Sequence, residues 1–94
     1  MIASDIVLGD IRRYVLENYP DSMDANDPTF QEQSYRIWAA GEIANRIMDK
    51  PHDDPVIIMD RFMLEMLFHA KHHPENLAFQ TAYRTAEKLI SIYL

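Results

Sequence analysis

The chain has 94 residues, 48% of them apolar and 26% charged, and no cysteine. That composition belongs to a folded domain with one modest core, and it excludes disulfides, thiolate zinc sites and cysteine nucleophiles. Fifteen acids against nine bases give a net charge of −6, which argues against the positive field that nucleic acid or an anionic membrane surface requires.

The predicted elements are four helices. The first covers about residues 5–18, capped by Ser4, with Val7, Leu8, Ile11, Tyr14 and Val15 on one face. It stops before Pro20, and a longer connection carrying Asp21, Asp24 and Asp27 follows. The second covers about 28–49, opened by an Asp27 cap and a first-turn Pro28. Its stripe is Phe30, Ile37, Ala40, Gly41, Ala44, Ile47 and Met48. The third covers about 55–72, opened in the same way by Asp54 and Pro55, with Val56, Met59, Phe62, Met63, Met66, Leu67 and Ala70 aligned. The fourth covers about 75–93, with Pro74 read as its first-turn proline and Phe79, Ala82, Tyr83, Ala86, Leu89, Ile90 and Tyr93 on one face. Each set recurs at three- and four-residue spacing, the mark of an amphipathic helix.

No segment alternates at period two, and no Asn-Gly, Asp-Gly or Gly-Gly turn marks a hairpin. The expected fold is therefore all-α and occupies one domain, residues 1–94. It is a compact four-helix bundle, or a three-helix core with the first helix laid across it. The connections after the second and third helices are short, so the last three helices are expected to pack antiparallel in chain order. No apolar run reaches the ~18 residues of a membrane span. The opening MIASDIVLGDIRR lacks a basic start and a long apolar stretch, so a cytoplasmic protein is expected.

Catalytic signatures are sparse. Neither glycine sits in a phosphate-cradling loop, and Ser4, Ser22, Ser34 and Ser91 read as cap, loop or helix-surface residues. Glu65, His69 and His73 share one helix face at i, i+4, i+8 with His72 adjacent, a spacing that converges donors on a divalent metal. The simpler reading is a last helical turn whose histidines favour the carbonyl end, with Glu65 pairing with His69. The chain is read as a non-enzyme with no metal or cofactor.

Two surface features point to association. Glu17, Asp21, Asp24, Asp27 and Glu32 form a stretch of five acids without a base between Arg13 and Arg36. It serves as an acidic surface toward a basic partner or as a solvated loop, in which Asp27 caps a helix and Glu32 favours its positive end. Ile57, Leu64 and Phe68 fall off the third helix's inner stripe as a separate ridge between Asp60 and Lys71 on one side and Arg61, Glu65 and His72 on the other. Trp38 and Tyr35 fall off the second helix's stripe and are grouped with that ridge. The ridge either packs on the first helix or is covered by a protein partner or, without one, by a second copy in a homodimer. The expected function is a small acidic protein-binding module. It would act as an adaptor or inhibitor of a basic protein such as a nucleic-acid enzyme, of the type that phages and mobile elements encode, without touching nucleic acid or membrane. The alternative is a small metal-dependent or helical DNA-binding protein contacting phosphates through Arg12 and Arg13 or through Arg84 and Lys88, bases flanked by Asp10, Glu17 and Glu87.

Overall fold

Asx side chains open three of the four helices, and prolines close two of them. The computed structural model describes residues 1–94. It contains α1 (Ser4–Glu17), α2 (Pro28–Asp49), α3 (Pro55–His72) and α4 (Leu77–Ser91), 73% helix with no strand. Asp27 and Asp54 accept backbone N–H bonds from Thr29 at 2.9 Å and Val56 at 3.0 Å, each ahead of a proline at the first helical position. Both expected caps therefore form.

Two expected helix starts are corrected. Asn76 opens α4 by accepting from the Ala78 N–H at 3.0 Å, and Pro74 lies in the turn before it. Asn76 carries the cap oxygen that a start at Pro74, after His73, lacks. Ser4 is the first residue of α1 rather than its cap, because the Ala3 carbonyl already accepts from Ile6 and Val7. Lys50 and His73, which end α2 and α3 at φ −131° and −134°, each precede a proline that disfavours helical geometry.

The packing order departs from chain order. α4 makes its most extensive contacts with α3 and then with α2, α1 lies against α2, and α2 touches α3 only slightly. Pro28, Gln31 and Tyr35 line one groove with Leu77, Gln80 and Arg84. Residue numbers thus rise together along α2 and α4, and the two run parallel at the centre. Fully buried alanines, Ala39 and Ala40 on α2 and Ala82 and Ala86 on α4, permit the close approach, since small side chains shorten the distance between helix axes. α2 and α3 keep the expected antiparallel sense, with Arg46 facing Glu65 and Lys50 lining a recess with Ile58 and Arg61, but their contact is slight and α2 packs mainly on α4.

One buried cluster draws on all four helices. It includes Ile43 on α2 and Ile58 on α3, neither of which lies on the expected stripes. Met48, expected inside, is exposed, because contact with both α1 and α4 turns the inner face of α2 toward Ile43. The buried Thr85 hydroxyl lies 3.1 Å from Tyr14 Oη, so the polar pair joining α1 to α4 is satisfied. No helix is long and apolar enough to cross a membrane.

Candidate functional site

Contact with α4 fixes which way α3 faces. Burial of Ile58, Met59, Phe62 and Met66 turns residues 57, 64 and 68 outward at about 100° per residue. Ile57, Leu64 and Phe68 are 50%, 55% and 58% exposed. The row does not pack on α1, which lies against α2. The Phe68 ring is held at one end of the row by two histidines. Its centroid lies 4.2 Å from that of His72 and 5.7 Å from that of His69, the latter edge-on. His72 Nδ1 is 2.9 Å from the Phe68 carbonyl oxygen, so that nitrogen carries the proton and donates.

The row is bordered by charge. Asp60 and Lys71 are exposed along one edge, and Arg61 and Glu65 along the other. Glu65 is drawn toward α2, where Arg46 grips both carboxylate oxygens at 2.8 and 3.2 Å. Those hydrogen bonds hold the Glu65 carboxyl below the usual carboxylate range and raise the pKa of Arg46. Arg46 also lies over the Phe62 ring at 4.9 Å. This clasp tethers α3 to α2 and leaves the apolar row open beside it.

The residues grouped with the row from sequence are dispersed. Trp38 is 43% exposed on α2, whose contact with α3 is slight. Tyr35 is half-buried and lines the groove between α2 and α4, a different surface. Tyr35 is thereby corrected out of the α3 patch, because the main neighbour of α2 is α4.

The acidic stretch is partly consumed by local structure. Asp27 caps α2, and Asp24 Oδ1 accepts from the Asn26 N–H at 3.0 Å. Glu32 lies beyond the first turn of α2 and pairs with Arg36 at 2.6 Å, so it does not serve the helix end as expected. Glu17 and Asp21 are exposed and are the acids left free of such bonds.

The histidines at the end of α3 are likewise engaged one by one. His69 stacks on Phe79 with centroids 5.1 Å apart. His73 Nδ1 is 3.6 Å from Glu75. Glu65 is turned to Arg46 rather than His69, so the Glu65–His69–His73 set is not brought together.

The chain matches no family model, no curated protein and no solved structure.

Sequence reasoning named Arg84 and Lys88 as bases that contact phosphates but missed the concave cluster they form with Arg36. Arg36 from α2 and Arg84 and Lys88 from α4 line a cavity of about 160 Å³ with Tyr14, Thr81 and Thr85. Arg84 and Lys88 stand four apart on one face, and that spacing was the available signal. Arg36 comes from a helix whose parallel placement beside α4 no local pattern announces.

Proposed function

We propose that the chain is a non-enzymatic, acidic helical protein-binding module, an adaptor or inhibitor that works as a homodimer. The observation that carries this reading is the row of Ile57, Leu64 and Phe68, each at least half exposed on one face of α3. A contiguous apolar face of this kind is a marker of association. Its occupant is a second copy, because the charged edge is self-complementary. Asp60 and Lys71 lie about three turns apart on the same border. Antiparallel pairing about a two-fold axis sets each Asp60 against Lys71 of the second copy, the arrangement of an isologous interface. The free acids Glu17 and Asp21 lie at the far end of α1 and in the loop after it. From there they steer a basic protein partner toward the dimer.

Phe68→Glu tests the reading. Its site is exposed, so the helical circular dichroism spectrum is expected to stay unchanged. Sedimentation is expected to show the wild-type chain as a dimer and the variant as a monomer. A monomeric wild-type chain at micromolar concentration, or a variant that stays dimeric, overturns it.

A further inference from the structure

The bases gathered between α2 and α4 are difficult to explain as ordinary surface. Three of the chain's nine bases face one cavity of about 160 Å³, together with a single acid, Glu32. Glu32 is already neutralised by Arg36. Arg84 and Lys88 form no ion pair: the salt bridges of the molecule involve Arg13, Arg36, Arg46 and His73. Glu87, next to Lys88 in sequence, pairs with neither base. Glu17 borders a neighbouring recess with Lys88 but bonds neither base. Like charges at i, i+4 repel along a helix, so this face is held at a cost that a bound anion removes.

The α2 wall of the cavity is also preorganised. Arg36 donates to Asn18 Oδ1 at 3.2 Å and to Glu32 at 2.6 Å, which fixes the guanidinium and leaves three of its five N–H donors unused. Asn18 is itself held by donating to the Tyr14 carbonyl at 2.8 Å. Lys88 Nζ sits 5.9 Å from the centre of the Tyr14 ring. The Tyr14–Thr85 pair at 3.1 Å is buried, and Thr81 supplies a further hydroxyl at the wall. Donors held rigidly by a supporting layer are what an anion site requires.

We infer that Arg36, Arg84 and Lys88 form a binding site for a phosphate group, carried by inorganic phosphate or by a small phosphate monoester. Three cations and one acid leave two positive charges, which match the roughly two negative charges of a phosphate monoester. The cavity holds about five water volumes, room for a phosphate but not for a nucleotide. A second recess of about 300 Å³ adjoins it, sharing Glu32, Thr81 and Arg84 and lined further by Gln31, Tyr35, Leu77 and Gln80. That recess offers an aromatic face and two amides to the organic part of an ester. The site is independent of the apolar row on α3.

Titrating the intact chain with inorganic phosphate and with adenosine monophosphate, each against sodium chloride at matched ionic strength, tests the inference by heteronuclear NMR. Saturable shifts at Arg36, Thr81, Arg84 and Lys88 are expected. Arg84→Gln and Lys88→Gln are each expected to weaken binding about tenfold, the loss of one charge-assisted contact. Both positions are exposed, and the free variants are expected to melt at the wild-type temperature or higher. Tighter binding of the nucleotide supports use of the second recess, and equal binding supports a site that reads the phosphate alone. No saturable shift with either anion at millimolar concentration, or undiminished binding in both variants, overturns the inference.

Discussion

Tyr93 is where a single hydroxyl does the most to tie the chain ends together. It donates to Asp10 Oδ2 at 2.5 Å. Burial, then the hydrogen bond to Asp10 and its charge, raise its pKa above the usual phenol range. A folded-state pKa raised above the unfolded value of about 10 gives stability that is complete below that pH. It is lost as pH climbs through the folded value. Tyr93→Phe is expected to cost about 1 kcal/mol at neutral pH. The difference between the two proteins is expected to narrow above about pH 10. Urea unfolding at neutral and alkaline pH checks both statements. A difference that widens with pH contradicts the assignment.

α1 is joined to α4 by polar bonds as well as by its apolar face. Thr85→Val leaves the buried Tyr14 hydroxyl without its partner and is expected to cost about 1–3 kcal/mol. The double variant Tyr14→Phe with Thr85→Val removes both polar groups. It is expected to cost less than the two single changes together, as denaturant titration of the four proteins measures. Helix limits were legible wherever a local device set them: Asp27-Pro28, Asp54-Pro55, and the prolines after Lys50 and His73. Asn76 was overlooked because Pro74, two residues earlier, carries the same start signal. Ile43 escaped because a stripe read from one helix assumes one facing surface, whereas α2 meets both α1 and α4, and Ile58 escaped because α3 turns its inner face toward α4. The outward row on α3 was legible because its direction follows from periodicity alone. The Arg46–Glu65 clasp and the Arg36–Arg84–Lys88 cavity depend on how helices sit against each other, which no spacing within a helix encodes.

At the scale of the molecule, the accessible surface is 6111 Å² against about 5,600 Å² for a folded monomer of this mass. The exposed row on α3 contributes to that surface. The charge is arranged unevenly as well: the central cavity is basic, and unbonded acids remain on the α1–α2 side. If the proposed steering holds, Glu17→Gln combined with Asp21→Asn slows association with a basic protein partner, and does so more at low salt than at high. Stopped-flow mixing at two ionic strengths measures this, and an unchanged rate at low salt removes the steering role.

The uneven spacing of the connections also sets an order of events. α3 and α4 are joined by a brief turn, so their extensive contacts close small loops and form early, whereas the parallel α2–α4 contact joins residues as far apart as Pro28 and Leu77 and follows them. The Tyr14–Thr85 and Asp10–Tyr93 bonds span 71 and 83 positions and close only when α1 arrives on a nucleus already condensed. Contacts absent from the transition state act as a brake on unfolding and leave the folding rate alone. In a chevron plot, Thr85→Val should therefore raise the unfolding arm and leave the refolding arm in place. A refolding arm that falls instead would put α1 in the nucleus. The lifetime of the native chain is thus governed by how long its first helix stays docked.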